Sequence, residues 1–205
     1  AARQRLAPVT VPMEPAQLAP RELHRFEGVE LTRAGLGWQI PGISHPDTPL
    51  LDLLATILGG GDSSVLWQDV REKARVVHTI DAHSWTPGSV GLFYVSLTCD
   101  GDKREAAIKV VERSLANCAA RGFTPAQIRK AQRQMIVSEI NSRKTMSGQA
   151  ARIGAAEVVV GDLDYGRTYL ERLRAATPAE VRRVLKNYLV PAHRTTVTLN
   201  PAAEE

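Results

Sequence analysis

The sequence has little of what marks the specialised classes of protein. Its two cysteines, Cys99 and Cys118, stand in no metal-type pair. Two cysteines are too few for a fold held together by disulfides, so we expect two buried free thiols. Aromatic residues make up only 5% of the chain, and no run of like charges accompanies its net charge of +4. Nucleic-acid binding is therefore not expected.

Long apolar runs are also missing. No stretch approaches the roughly 18 consecutive apolar residues of a membrane-spanning helix, and no N-terminal signal pattern is present. The chain has 205 residues, of which 43% are hydrophobic and 23% charged, as in an ordinary globular domain. It begins at Ala1 rather than Met, which is typical of a fragment or a processed product. The composition suits a bacterial source and leaves the periplasm and the cytoplasm both open.

The motifs of hydrolytic and phosphate sites are absent as well. Zinc hydrolases commonly place two histidines four residues apart on a helix, with a glutamate as base. The sequence lacks that spacing among its five histidines, His24, His45, His78, His83 and His193. The run GGGDSS lacks both the nucleophile elbow and the Gly-Lys-Ser/Thr of a phosphate loop. We therefore expect no metal, and no catalytic residue, within this chain.

The most informative stretch that is present covers residues 57–82. An apolar helix runs into three glycines at 59–61, which are expected to end it in the left-handed conformation. A second helix, capped by Asp62 or Ser63, carries Arg71, and a strand bearing His78 follows at once. This helix–glycine–helix–strand unit is the part around which we expect the chain to be organised.

The remaining pattern predicts strands at 23–29 and 31–40, a hairpin at 76–85 and 90–99, helices from residue 102 onward, and a last strand at 194–199. Gly35 and Gly37 predict a bulge or a close backbone approach in the second strand. Thr124 and Thr177, each followed by Pro and then Gln or Glu at the third position, predict capping boxes.

This order predicts an α+β fold, with one mostly antiparallel sheet and helices packed on one of its faces. The other sheet face is expected to be partly exposed or to meet another domain. Residues 1–20, rich in Pro and Ala, are predicted to form an extended lead-in or linker. The domain is predicted to span residues 21–201, and residues 202–205 to form a tail.

Arg71 and His78 are the candidate binding residues. Arg71 has two interpretations: a surface arginine paired with Glu72, or a group that binds a carboxylate or carbonyl through its rigid fork of donors. His78, seven residues later, would act beside it, or would only make a local hydrogen bond on its strand.

Four segments together resemble a known family. Residues 59–82 resemble the Gly-rich, Ser-Ser and Arg-Glu-Lys stretch of the insulinase/pitrilysin-type (M16) zinc peptidases, in their non-zinc C-terminal repeat domain. His-Pro-Asp at 45–47 and Gly-Leu-Phe at 91–93 are similar to its first helix start and its second hairpin strand. Thr-Pro-Ala-Glu-Val at 177–181, with Tyr-Leu-Val-Pro after it, is similar to its closing helix. The resemblance covers nearly the whole chain and implies the LuxS-like metallohydrolase fold.

The resemblance implies a non-catalytic domain in the wall of a peptide-enclosing chamber. Zinc would lie in a different domain or subunit, on a His-x-x-Glu-His helix, and that zinc-bearing companion and the peptide substrate would be the partners. Relatives use an Arg and a Tyr seven residues later to hold substrate; Arg71 matches the Arg, whereas His78 replaces the Tyr. An exposed strand edge, at 31–40 or in the hairpin, would also hold peptide. The alternative is a scaffold or assembly subunit of a relative without catalysis.

Overall fold

The computed structural model describes residue 12 and residues 14–202 of the chain. Its sheet has five strands: β1 (Arg21–Glu27), β2 (Thr32–Pro41), β3 (Thr79–Trp85), β4 (Val90–Cys99) and β5 (Arg194–Pro201). Their spatial order is β1-β5-β2-β4-β3. The β1–β5 pair is parallel and the other three pairs are antiparallel. The predicted α+β fold with a mostly antiparallel sheet is confirmed.

Six α-helices accompany the sheet within the described part of the chain. They are α1 (Thr48–Gly59), α2 (Arg104–Arg121), α3 (Pro125–Ser142), α4 (Met146–Gly154), α5 (Tyr165–Ala175) and α6 (Pro178–Tyr188). Two π-helical segments, Trp67–Lys73 and Ala155–Val160, and two short 3₁₀ turns complete the order. The capping boxes predicted at Thr124 and Thr177 are both present and begin α3 and α6.

The core lies between one face of the sheet and the helices. On β4, Phe93, Val95 and Leu97 alternate into it, as their period of two requires. Helix α1 is buried along most of its circumference and contacts β3, α3, α5 and α6. Cys99 and Cys118 are buried and unbridged, as expected. Burial raises the pKa of Cys118 to about 11, so this thiol packs as a small apolar group.

The glycines of β2 do not have the predicted role. β2 pairs residue by residue with β4 over its whole length, so no bulge is present. A Cβ added at Gly35 would meet nothing within 4 Å, which means that no close approach requires glycine there. A Cβ at Gly37 would lie 3.2 Å from Cδ1 of Leu92, which is a side-chain contact on the sheet face that the helices do not cover rather than a close backbone approach.

The three glycines after α1 have separate roles. A Cβ at Gly59 would lie 2.0 Å from the backbone nitrogen of Ala82, so Gly59 allows helix α1 to approach β3. Gly60 has φ −78°, and only Gly61, at φ +85°, has the positive φ expected of a left-handed cap. The positive φ therefore occurs two residues after the last residue of α1, and close packing explains Gly59.

The helix that follows differs from the prediction in its start and in its type. The residues that carry Arg71 form a π-helix, in which the backbone N–H of Ala74 donates to the carbonyl of Asp69 (3.2 Å). No capping hydrogen bond from Asp62 or Ser63 is present there; the Ser63 hydroxyl instead accepts from the Lys130 ammonium.

The predicted lead-in lies partly outside the described residues. Residues 14–20 have no helix or strand. Gln17 nevertheless binds β5, donating to the carbonyl of Arg194 (2.8 Å) and accepting from the Thr195 hydroxyl (2.9 Å). The end of the lead-in therefore packs on the sheet, unlike a free linker. No helix among residues 14–202 is long and apolar enough to cross a membrane.

Candidate functional site

Arg71 is held by three contacts. Its guanidinium lies over the ring of Trp67, with 4.3 Å between Cζ and the ring centroid, a cation–π geometry. Its Nε donates to the backbone carbonyl of His78 (2.8 Å), and one terminal nitrogen donates to Glu72 Oε1 (2.6 Å). The side chain remains 39% exposed. The guanidinium is thus fixed in place while its outer edge faces solvent.

The His78 side chain points to a different partner. Its Nε2 lies 2.8 Å from Oδ1 of Asp100, whose other oxygen accepts from the Lys103 ammonium at 2.7 Å. The hydrogen bond from Lys103 and, after it, the one from His78 lower the pKa of the Asp100 carboxyl. Asp100 is therefore anionic at neutral pH and orients the imidazole of His78.

These residues line a cavity of about 350 Å³. Its walls are mostly polar, and the charged groups around it are Arg71, Glu72, Arg75, Asp100 and Lys103. Arg75 has φ 55°, a conformation uncommon for a residue other than glycine, at the turn from the π-helix into β3. The cavity offers several hydrogen-bond donors to a peptide carbonyl or carboxylate, and its lining contains no Ser or Cys nucleophile.

The structure brings Arg71 and His78 together, but through the backbone of His78 only. Their side chains diverge, one toward Trp67 and Glu72, the other toward Asp100. The predicted Arg71–Glu72 pair is present, together with a second anchor that the sequence reasoning missed. Trp67 and Arg71 are four residues apart on a helix, and this spacing indicates that their side chains can contact each other. Asp100, across the hairpin, gave no local signal.

The strand edges differ from those predicted for peptide binding. β2 lies between β4 and β5 and has no free edge, so the expectation that the strand at 31–40 offers one is wrong. The edge of β2 that β4 does not cover is paired with β5, the last described strand, and the order of strands along the sequence does not indicate this pairing. In the hairpin, β3 is a sheet edge, and its first residues adjoin His78.

A second ionic cluster lies at the start of α1. The Asp47 carboxylate accepts two hydrogen bonds from the Arg183 guanidinium and one from the Tyr188 hydroxyl (2.8 Å). The Asp47 side chain is only 10% exposed. The hydrogen bond from Arg183, and with it that from Tyr188, lowers the pKa of the Asp47 carboxyl despite burial. The cluster ties the start of α1 to α6, at two segments singled out in the sequence. Its Asp47 carboxylate is buried, whereas the Arg183 side chain is 43% exposed.

Metal binding finds no support among the described residues. No group of three or more His, Cys, Asp or Glu residues there could hold a metal ion. His24 bonds to Thr198 and His45 accepts from the backbone N–H of Asp47. His83 stacks on Tyr94 with ring centroids 5.1 Å apart. The histidines are thus dispersed over the fold, and zinc does not fit the donors that these residues present.

Apolar side chains are exposed in two places. One is the sheet face that the helices do not cover, where Leu23, Leu92 and Val197 lie among polar side chains such as Arg25, Arg33 and Asp81. The other follows the weakly buried segment from α4 to α5, with large exposed side chains at Met146, Ile153, Val158, Val159 and Leu163. Surfaces of this kind commonly mark contacts with another protein or domain.

Comparison with known proteins gives a consistent result. The family model described as "Peptidase M16 inactive domain" matches residues 3–135. An uncharacterized zinc protease of Streptomyces coelicolor is 30% identical over 154 residues, which are 73% of this chain and 33% of that protein. A zinc protease of Helicobacter pylori, PqqE, is 26% identical over 204 residues, 97% of this chain and 45% of that protein.

Solved structures show the same fold. The crystal structure of a protease from Helicobacter pylori matches with a TM-score of 0.83 at 22% identity, over 97% of this chain and 48% of that chain. An M16 inactive domain from Pseudomonas fluorescens matches with a TM-score of 0.84 at 21% identity. The match covers 98% of this chain and 47% of that chain. The chain spans less than half the length of these relatives.

Proposed function

Because this chain belongs to the family of M16 peptidase inactive domains, we propose that it is the non-catalytic part of a zinc-dependent peptidase. It forms part of a chamber that encloses peptide, and it contributes to peptide binding through Arg71 and His78. An inactive domain implies a companion domain or subunit that carries catalysis and zinc. The relatives named zinc proteases, each about twice as long as the matched region or longer, support this proposal.

The observation that carries the binding role is the fixed but open guanidinium of Arg71. A side chain held by a ring, a carbonyl and a carboxylate loses little further entropy when it binds a ligand. Its outer edge faces a cavity of about 350 Å³ next to the start of the edge strand β3. An extended peptide that pairs with β3 would place a carbonyl or its terminal carboxylate near that guanidinium.

His78 has a supporting role in this proposal. Asp100 orients its imidazole, as the hydrogen bond of 2.8 Å indicates. When Nε2–H donates to Asp100, the Nδ1 of a neutral imidazole is left as an acceptor for a peptide N–H, whereas a tyrosine hydroxyl at this position could also donate.

The companion would cover the exposed apolar surfaces. The exposed apolar side chains between α4 and α5, with Leu23, Leu92 and Val197 on the uncovered sheet face, favour burial against another part of the protein. Neither surface overlaps the cavity at Arg71, so docking of a companion there leaves the peptide site accessible.

The test compares this chain alone with the same chain co-expressed with its zinc-bearing companion. Alone, with added Zn²⁺, the chain should not release fluorescence from quenched casein. With the companion it should do so, and a chelator should abolish the signal. Zinc-dependent turnover by the chain alone would overturn the proposal.

The role of Arg71 is tested in the active assembly with Arg71→Ala. Loss of a charge-assisted hydrogen bond should lower kcat/KM by about tenfold or more. Arg167→Ala is the matched control, because Arg167 is an exposed arginine that pairs with Asp164 and Glu171 far from the cavity. Equal effects of the two changes would remove Arg71 from the substrate site.

The same experiment separates the alternative of a scaffold subunit. In that case the assembly would form with the companion, bind no zinc and leave casein intact. The names of the curated relatives favour the peptidase, so the scaffold stays the second candidate.

A further inference from the structure

A groove far from Arg71 has the properties of a ligand site. It lies between α2 and α6 near the end of the sheet and encloses about 900 Å³, within the range usual for small-molecule sites. Its floor is buried and apolar, formed by Trp38, Leu115, Leu185 and Leu189. The indole N–H of Trp38 already donates to the carbonyl of Val190 (3.1 Å), so the floor presents its ring carbons rather than an open donor.

The rim of the groove is cationic. Lys109, Arg113 and Lys186 line it, are exposed, and form no ion pair with a carboxylate of the described residues. The one carboxylate in the lining, Glu112, is bound by Arg194. An apolar floor beneath unneutralised cations is complementary to a molecule with an apolar body and an anionic head.

Arg194 adds a cation inside the groove. Its side chain is only 12% exposed, and one terminal nitrogen binds Glu112. Its Nε is buried and has no hydrogen-bond acceptor among residues 14–202. A buried donor without an acceptor is costly, so an anionic oxygen brought by a ligand would satisfy it.

The groove walls exclude an extended peptide as the preferred occupant. Both long walls are helices, whose backbone groups are bonded within the helix. At the end of α2 the carbonyls of Ala119 and Ala120 also accept from Arg182 (2.8 and 2.5 Å). A peptide strand would lose its hydrogen bonds to water without gaining others here, whereas an alkyl chain has none to lose.

We propose that this groove binds an amphiphilic monocarboxylate of the fatty-acid class. Its alkyl chain lies on the floor of Trp38, Leu185 and Leu189, and its carboxylate lies among Lys109, Lys186 and the Arg194 guanidinium. The inference is independent of the peptidase role, since the groove and the Arg71 cavity share no lining residue.

The test is isothermal titration of the 205-residue chain with decanoate, below the concentration at which decanoate forms micelles. Binding should saturate at one site and weaken as salt is added. Decanol, which keeps the chain but lacks the charge, should bind about tenfold more weakly. A decyl ammonium ion should bind more weakly still.

Two variants locate the site. Ala116→Leu places a larger side chain on the exposed α2 wall of the groove and should abolish decanoate binding. The double change Lys109→Gln and Lys186→Gln removes two surface charges without touching the core, and should weaken binding about fivefold. Lys144→Gln is the matched control, an exposed lysine outside the groove, and should leave the affinity unchanged.

The outcomes are distinct. Equal binding of decanoate and decanol, or equal binding by the double-lysine variant and the Lys144→Gln control, would overturn the proposal by showing non-specific apolar adsorption. Absence of saturable decanoate binding would overturn it outright. If an acidic amphipathic peptide binds the groove and decanoate does not displace it, the proposal is overturned and the groove is assigned to a protein partner.

Discussion

The carboxylates of Asp47 and Asp100 each accept hydrogen bonds from a cation and from a ring-bearing side chain, but in different surroundings. Asp47, with Arg183 and Tyr188, is 10% exposed and joins two helices. Asp100, with Lys103 and His78, is 38% exposed and borders a cavity. Similar chemistry thus has two uses. Where the carboxylate is buried, the cluster holds two helices together; where the carboxylate is itself exposed, its groups remain available to a ligand.

The largest expected effect is that of Asp47→Ala. This change leaves Arg183 and the Tyr188 hydroxyl without their acceptor. It should lower the free energy of unfolding by about 1–3 kcal/mol, since water can reach part of the Arg183 guanidinium. Asp100→Ala, the same change in the cluster beside the cavity, should move the urea midpoint much less, because water replaces the lost carboxylate as partner of Lys103 and His78. Equal shifts of the two urea midpoints would show that the comparison is wrong.

Acid should weaken the stabilisation that the Asp47 cluster gives to the fold. The pKa of Asp47 is lowered from its ordinary 3.8, so its stabilisation is complete above that value and is lost as pH falls through the folded-state pKa. Asp47→Asn should therefore flatten the loss of stability below about pH 4. Urea unfolding across this range measures it, and an unchanged acid slope in the variant would exclude Asp47 as its source.

A smaller effect is expected from Tyr188→Phe. This change removes only the hydroxyl that donates to Asp47, while Arg183 still pairs with the carboxylate. The expected loss is about 1 kcal/mol, the usual contribution of one hydrogen bond. Tyr94→Phe is the control, since Tyr94 stacks on His83 without a hydrogen bond from its hydroxyl in the described structure. Similar losses in thermal unfolding would mean that the hydrogen bond from Tyr188 to Asp47 makes no specific contribution to stability.

The smallest effect on stability is expected at Arg71. Because its guanidinium is partly exposed, Arg71→Ala should cost about 1 kcal/mol or less in urea unfolding. Arg71→Lys keeps the charge but loses the planar fork of donors. It should be at least as stable as Arg71→Ala and should bind peptide less well than the unchanged protein. A large stability loss with unchanged peptide turnover would place Arg71 with Asp47 as a structural residue.

Local sequence rules predicted the hairpin β3–β4, the apolar helix α1 and the two capping boxes, because these depend on residues close in the chain. They did not predict the order of the sheet, since the place of β5 beside β1 and β2 depends on contacts across nearly the whole chain. At the site, the sequence indicated Arg71 and His78 but not Asp100, which reaches His78 from the far end of the hairpin. The binding roles of Arg71 and His78 remain predictions.

The parallel pair of β1 and β5 has a consequence for the folding of the chain. β5 inserts between β1 and β2, so β1 has no partner in the sheet until residues 194–201 arrive. During synthesis from the N-terminus, the hairpin and the helices are complete before β1 has a strand to pair with. Contacts of such long sequence separation slow folding. Loss of the last strand would therefore detach two strands rather than one, and it would leave β2 as a new unprotected edge prone to aggregation.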